Sequence, residues 1–474
     1  MYRTMGFPGR SQLLPGEDDT IVALSTAPGR SAIAIVRLCG PRAFAIAERL
    51  VKSWPIEPRR AVLCRLYDPN DQSLIDQCVV SVFPSPNSYT GDNTVEFSTH
   101  GGNAVSDALT TALIRMGARE AQPGEFTRRA VLNGKLDLVQ AEAVGDLIDA
   151  TSDTMRRVVL HQLDGGLSRR IEDLRNALVD LEALLAYDID FPDEDHGPIN
   201  RTRVCEQAET VQEMLESLLE TRSATELVRD GALVVIAGRP NVGKSSLFNA
   251  IVGEKRAIVT DIPGTTRDAI EARVQFRAWP VRLVDTAGLR QTDELVERLG
   301  IEVSERYLKG AHVILACDDD ADELPRTVEA ITSVGSAPIV AVLTKADRPA
   351  CSGLNPAVTA SAGSVTPPAP ICVSAYTHEG LAELGDCVER ELEARYGAIP
   401  VARPALTRAR QRVAIEKASS ELAAFQHHWD SADLPTSIAA VHIRSAVAEL
   451  DELIGVVDTE DVLSRVFATF CIGK

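Results

Sequence analysis

Residues 238–246 read Gly-Arg-Pro-Asn-Val-Gly-Lys-Ser-Ser, the G-x-x-x-x-G-K-S spacing of a phosphate-binding loop. Such a loop works only between a strand and a helix, because backbone N–H groups of the turn and of the helix N-terminus must converge on phosphate oxygens. The flanks supply both: Ala232–Ala237 reads as a buried strand, and Ser246–Val252 as the first turns of a helix. This part of the chain is therefore confined to an α/β fold. Lys244 is the residue for the terminal phosphates and Ser245 the Mg²⁺ ligand, with Asn241, Val242, Gly243 and Ser246 completing the cradle.

Three later tracts turn a nucleotide into GTP. Asp285-Thr286-Ala287-Gly288 follows the apolar strand Val281–Val284, putting a carboxylate near Mg²⁺ and a glycine N–H near the γ-phosphate. Thr344-Lys345-Ala346-Asp347 follows Ile339–Leu343 and fits the guanine-reading N-K-x-D pattern with Thr for Asn. A carboxylate at Asp347 accepts two N–H groups of guanine, a pair adenine lacks. Ser374-Ala375, after Ile371–Val373, suits the last guanine-contacting loop. Each element ends a predicted strand, the edge at which such sheets bind ligands.

The 474 residues are enough for about two to four domains. With 49 Lys+Arg against 68 Asp+Glu, the net charge is -19, which opposes gripping nucleic acid over the whole surface. Nine cysteines (39, 64, 78, 205, 317, 351, 372, 387 and 471) show no C-x-x-C and no zinc spacing, and read as reduced cytosolic thiols. No secretory core and no membrane-length apolar run is found, so the reading is cytoplasmic.

Residues 1–18 read as a loose N-terminal extension. From 19 to 131, strands (Thr20–Leu24, Ala32–Leu38, Val79–Phe83, Thr94–Thr99) alternate with helices (Pro41–Val51, Ala104–Met116), an α+β domain. From 132 to 228 the period is helical, with Ile171, Leu174, Leu178, Leu181, Leu185 and then Val204, Ala208, Val211, Leu215, Leu218. The G domain spans 229–392, with a flexible Ala/Pro/Ser-rich insertion at Asn355–Pro370. Helical periodicity returns over 393–474 through Val413, Ala418, Leu422, Phe425, Ile438, Val441, Leu450 and Leu453, so the G domain reads as an insertion into one helical domain.

Four further tracts carry a family resemblance: Ala27-Pro28-Gly29-Arg30; Ser88-Tyr89-Thr90-Gly91; Pro123–Thr127 continuing to Asn133-Gly134-Lys135-Leu136-Asp137-Leu138; and the tail Cys471-Ile472-Gly473-Lys474. With the G motifs, they make the chain resemble the tRNA-modification GTPases of the MnmE (TrmE) type over nearly its whole length. The resemblance implies a multidomain α/β and α+β architecture: an N-terminal α+β folate-binding and dimerisation domain, an all-α helical domain and an inserted P-loop, Ras-like α/β G domain. It implies a homodimer that joins an FAD-dependent MnmG (GidA)-type protein in a heterotetramer, with tRNA contacted mainly through that partner and no membrane. Together they would place an aminomethyl-type (carboxymethylaminomethyl) group on C5 of a wobble uridine, with 5,10-methylene- or 5-formyl-tetrahydrofolate as the one-carbon cofactor.

The segment Thr260–Asp268 fits the family's switch, with Thr266 the second Mg²⁺ ligand. The resemblance also implies a K⁺ ion in place of an arginine finger, held by Asn241 and by Thr260, Ile262 and Thr265. A monovalent cation beside the β,γ-bridge offsets charge building on the leaving group. Leu289 follows D-T-A-G where Ras-like enzymes carry Gln, and Glu297 holds the family's water-orienting position; read alone it is a solvated helix glutamate.

On the strand Ala32–Leu38, Ile33, Ile35 and Arg37 share a face, and Arg37 is either a paired core charge or a ligand clamp. Glu96 points away from Val95 and Phe97. The resemblance assigns folate contacts to Arg37, Glu96, Lys135 and Lys474. Cys471 is either a reactive thiolate, its pKa lowered by Lys474, or a small buried hydrophobe. His100-Gly101-Gly102 is a turn near that strand end, and Arg403–Arg412 is either a local RNA contact or a solvated helix face. Two other functional classes share these motifs: a GTP-switched ribosome-assembly factor, and a folate enzyme with a regulatory G domain. The first usually adds a basic RNA module, and no KH-like G-x-x-G with basic flanks occurs. No G-x-G-x-x-G is present, so redox chemistry belongs on a partner.

Overall fold

The computed structural model describes residues 18–190, 201–254, 270–286, 306–348, 369–431, 436–455, 463, 466–467 and 470–473. It divides into two compact units, one drawn from Met1–Ile148, Gln162–Val211 and Lys417–Lys474, the other from Asp149–His161 and Gln212–Glu416.

The first unit holds a six-stranded sheet in the order β3-β4-β5-β2-β1-β6. Its strands are β1 (Ile21–Leu24), β2 (Ile33–Cys39), β3 (Val62–Tyr67), β4 (Leu74–Phe83), β5 (Thr94–His100) and the two-residue β6 (Arg119–Glu120). Only β1 and β6 pair in parallel. Alternation assigns the faces: Val36, Leu38, Val80, Val95 and Phe97 point to one side, where helices α1 (Ala43–Leu50) and α2 (Asn103–Arg115) bury Ile46, Leu50, Leu109 and Leu113 against them. The opposite face carries Ile35, Arg37 and Glu96. The sequence reading missed β3, whose Val-Leu-Cys-Arg-Leu-Tyr run does not alternate strictly, and the two-residue β6.

Helix α3 (Glu125–Leu132) leads into α4 (Leu138–Asp149), and α5 (Asp153–Leu163) into α6 (Gly166–Asp190). The predicted stripe of α6, Ile171 to Leu185, is fully buried, and so are Val204 and Ala208 of α7 (Arg201–Glu220). Burying each of the Ile, Leu and Val side chains contributes about 1.5–3 kcal/mol, more than helix propensity supplies. For α12 (Ala409–Ser431) and α13 (Thr436–Ile454), Val413, Ile438 and Val441 are exposed, contrary to the sequence reading. The buried rows run through Ile415, Ala418, Leu422 and Phe425 and through Ala439, Ile443, Ala446, Leu450 and Leu453, an offset that keeps 3/4 spacing where Val413 and Val441 break it. Helix α6 packs along α13, with ion pairs Arg175–Asp451 and Arg444–Glu182.

The second unit is a doubly wound sheet in the order β12-β11-β10-β7-β9-β8, parallel except for the β8–β9 hairpin. The strands are β7 (Ala232–Gly238), β8 (Ile270–Phe276), β9 (Trp279–Asp285), β10 (Val313–Asp318), β11 (Ile339–Thr344) and β12 (Ile371–Val373). Around it lie α8 (Arg222–Asp230), α9 (Lys244–Glu254), α10 (Leu324–Thr332) and α11 (Leu381–Tyr396). The chain leaves central β7 toward β9 on one side and β10 on the other, which makes its carboxyl end the switch point where a ligand cleft opens. The switch segment 255–269, the stretch 287–305 and most of the insertion at 355–370 lie outside the described residues.

Candidate functional site

Strand β7 ends at Gly238 directly against β10. A Cβ at Gly238, whose φ is 150°, would lie 2.0 Å from the Cys317 carbonyl oxygen, so only glycine fits where the chain turns off the sheet. Asn241 (φ 65°) and Gly243 (φ 101°) then curl the loop onto the N-terminus of α9. Lys244 is buried, and its Nζ donates to the carbonyls of Gly238 at 3.0 Å and Arg239 at 2.6 Å. Ser245 Oγ donates to Asp285 Oδ2 at 2.6 Å, so the first residue of the D-T-A-G motif meets the loop serine. A hydroxyl and a carboxylate oxygen side by side are the hard donors Mg²⁺ takes. Thr286 Oγ1 donates back to the Ile236 carbonyl at 2.9 Å, tying β9 to β7.

The base side is joined to the same loop. Thr344 Oγ1 donates to the Val242 carbonyl, and it also reaches the Asp318 carbonyl at 3.2 Å. The threonine thus makes the bridge to the phosphate loop that the sequence reading treated as a departure. Lys345 (φ 57°) donates to the Asn241 carbonyl at 2.9 Å and to Asp319 Oδ2 at 2.7 Å. Ser374 Oγ donates to Asp347 Oδ1 at 2.7 Å and accepts the N–H groups of Tyr376 and Thr377. That hydrogen bond holds the Asp347 carboxyl below the ordinary carboxylate range, so it is ionised to read N–H donors. Ala375 follows in the same loop.

Two residues here escaped the sequence reading. Arg239 grips the buried Asp318 carboxylate with two bonds, Nη2 to Oδ1 at 2.6 Å and Nε to Oδ2 at 2.9 Å. Nothing in either residue type signals the pair; only the β7–β10 register brings them together. A cleft of about 640 Å³ opens beside them, lined by Gly238, Asn241, Lys244, Thr286 and α10.

In the first unit, the Ser88–Gly91 tract and the tract that starts at Pro123 meet beside Arg37, whereas Gly29 of the Ala27–Arg30 tract donates to Asn103 Oδ1 at 3.2 Å, past the other end of β5. Arg37 and Glu96 face each other across β2 and β5 and form an ion pair at 2.9 Å. Arg37 is therefore charge-paired, and its partner is the other predicted ligand. The guanidinium also lies over the rings of Tyr89 at 5.7 Å and Phe126 at 5.4 Å. Tyr89 hydroxyl meets Thr127 Oγ1 at 2.9 Å, Asn133 donates to the Thr90 carbonyl at 2.6 Å, and Lys135 Nζ donates to the Pro86 carbonyl at 3.1 Å.

The tail reaches the same helix start. Gly124, the N-cap of α3, donates its N–H to the Cys471 carbonyl at 3.2 Å and packs on Phe467 and Phe470. Cys471 is exposed, so the buried-hydrophobe reading of this thiol falls. His100 pairs with Asp76 at 2.8 Å, and Arg412 with Glu226 at 2.7 Å, so at Arg412 the helix face is neutralised. Thr260, Ile262, Thr265, Thr266, Ala287, Gly288, Glu297 and Lys474 lie outside the described residues.

Comparison with known proteins settles the family. A family model described as the MnmE helical domain matches residues 138–471, and one described as the GTP-binding protein TrmE N-terminus matches 20–135. The chain belongs to the MnmE family. It is similar to the tRNA modification GTPase MnmE of Aquifex aeolicus, 39% identical over 458 residues covering 96% of this chain and 100% of that one. It is similar also to the enzyme of that name from Phenylobacterium zucineum, 41% identical over 457 residues with the same coverage. The two family models together span residues of both units. Among the described residues, no helix is long and apolar enough to cross a membrane.

Proposed function

We propose that this chain is a GTP hydrolase acting in tRNA modification, as its family membership implies, and that the hydrolysis serves chemistry at C5 of a wobble uridine. The single observation that carries the nucleotide half is the joining of Ser245–Asp285 to Asp347–Ser374 through Lys345, Asn241 and Thr344. Phosphate recognition and guanine recognition share one loop. Ser245 and Asp285 suit Mg²⁺, which would stabilise charge on the β,γ-oxygens, with Thr266 as a further ligand. Lys244 neutralises the same oxygens, and Gly238 lets the backbone close around them. A K⁺ ion at Asn241, Thr260, Ile262 and Thr265 would add to that neutralisation, and Glu297 would orient the attacking water.

A one-carbon tetrahydrofolate belongs to the Arg37–Glu96 pocket. The fit rests on its donors: aromatic faces at Tyr89 and Phe126, a carboxylate for an amidine edge, and cations at Arg37, Lys135 and Lys474 for an anionic tail. Cys471, exposed at that tail, is the reactive thiol candidate. Ile33 and Leu63 lie on the sheet face opposite the helices, 58% and 62% exposed, and favour pairing of two copies there. Hydride chemistry falls to an FAD-dependent MnmG-type partner, which also supplies most of the tRNA contact. The G domain at 229–392 would be an insertion between helical segments 132–228 and 393–474, behind an N-terminal domain at 19–131 and the extension 1–18. The deciding experiment is calorimetry with GDP, ADP and XDP on wild type and Asp347→Asn. Wild type should take GDP over ADP, and the variant should lose GDP by roughly tenfold or more while gaining XDP. Equal binding of GDP and ADP by wild type would end the guanine assignment.

A further inference from the structure

Arg239 occupies one of the variable positions of the phosphate loop, yet its surroundings are unusually well determined. It is the first residue past the β7–β10 ladder, whose last pair is Gly238 with Cys317. Its guanidinium forms a parallel two-bond fork with Asp318, at 2.6 and 2.9 Å. The Asp318 side chain is 0% exposed. The same carboxylate accepts Thr327 Oγ1 at 2.8 Å and the N–H groups of Asp319 at 2.9 Å and Asp320 at 3.2 Å. Burial pushes the Asp318 carboxyl up, but the Arg239 and Thr327 bonds outweigh it and leave it below its ordinary value. One end of the clamp is thus fixed to β10 and α10. The other end fixes the backbone of Arg239, whose carbonyl, with that of Gly238, receives Lys244 Nζ.

We propose that Arg239 and Asp318 are a positioning pair that seats Lys244 for the β-phosphate, a role resting on the nucleotide reading above. Neither residue touches the nucleotide in this account; both act through the Arg239 carbonyl. A fork holds an angle as well as a distance, which a single ammonium does not. The bond that holds the guanine-reading carboxylate, Ser374 Oγ to Asp347 Oδ1, does not involve the Arg239 side chain, so loss of that side chain should fall mainly on the diphosphate.

The test measures GDP and GMP affinity for wild type, Arg239→Met, Arg239→Lys, Asp318→Asn and the Arg239→Met/Asp318→Asn double variant, with thermal midpoints alongside. GMP lacks the β-phosphate and serves as the internal control. Arg239→Met should weaken GDP by roughly tenfold or more, as loss of charged hydrogen bonds does, and leave GMP within about twofold. Arg239→Lys should recover only part. The double variant should be no weaker for GDP than the worse single variant within about twofold, because the two residues act as one unit. Arg239 is half exposed, so Arg239→Met decides the matter even if Asp318→Asn does not fold. The proposal is overturned if Arg239→Met binds GDP like wild type, or if GDP and GMP weaken alike, which would mark a merely structural ion pair. Wild type binding ADP as tightly as GDP would instead undo the guanine reading, since the clamp is judged on the diphosphate-to-monophosphate ratio.

Discussion

Gly473 sits in the tail at φ 97°, and a Cβ there would lie 2.4 Å from the Leu24 carbonyl oxygen and 2.9 Å from Ser25 Cα. Both are backbone atoms at the end of β1, and the Ser25 N–H is itself bonded to the Ile35 carbonyl at 2.7 Å. Neither can yield as a flexible side chain would. In Gly473→Ala the last turn must therefore move. The left-handed conformation alone costs an alanine about 1–2 kcal/mol, and the clash adds to it. Every 1.4 kcal/mol is about tenfold, so the docked tail should be depopulated by roughly tenfold or more. Phe467 and Phe470 stay buried and stabilise their contacts with Gly124 by about 2 kcal/mol each, which confines the release to residues beyond 470. The variant should fold with a thermal midpoint within about 2 °C of wild type. Its GTP hydrolysis should be unchanged. Its affinity for 5-formyl-tetrahydrofolate, measured by calorimetry, should fall by roughly tenfold if, as proposed, the released tail forms part of the folate site. Wild-type folate affinity in this variant would refute the assignment of the tail to that site.

Two other outcomes follow from the same geometry. Hydrolysis should run at least about tenfold faster in KCl than in NaCl at equal ionic strength, since Leu289 offers no water-orienting amide and Asn241 stands in the phosphate loop as the proposed K⁺ ligand; equal rates would require an arginine instead. Iodoacetamide at pH 8 should alkylate the exposed Cys471 and spare Cys39, Cys78 and Cys317, whose thiols burial pushes upward, Cys78 and Cys317 to about 12; a raised pKa keeps them as unreactive thiols below that range, and peptide mass spectrometry reads the pattern.

The phosphate loop was legible because cradling phosphate requires contiguous residues in fixed order between a strand and a helix. The same holds for Asp285, Asp347 and Ser374, each at a strand end that an apolar run announces. The Arg239–Asp318 clamp was not legible, because the partners are 79 residues apart and meet only through strand order. Arg37 and Glu96 could be assigned to faces by alternation, but their mutual ion pair depends on the β2–β5 register, which alternation does not give. The helical stripe of α6 was plain because five apolar residues repeat without competition. On α12 and α13, alanines share the buried rows, so the reading placed Ala418, Leu422, Phe425, Leu450 and Leu453 correctly but admitted the larger, exposed Val413, Ile438 and Val441 beside them.

The central claim is that GTP hydrolysis in one unit serves uridine chemistry in which the other unit takes part, and it is tested most directly by mass spectrometry of wobble uridines. Cells lacking this chain would be complemented with wild type, Cys471→Ser or Ser245→Ala. The account predicts that wild type restores the C5 aminomethyl-type group and that neither variant does, while purified Cys471→Ser still hydrolyses GTP at the wild-type rate. Fully modified uridine in the Cys471→Ser or Ser245→Ala cells would contradict it.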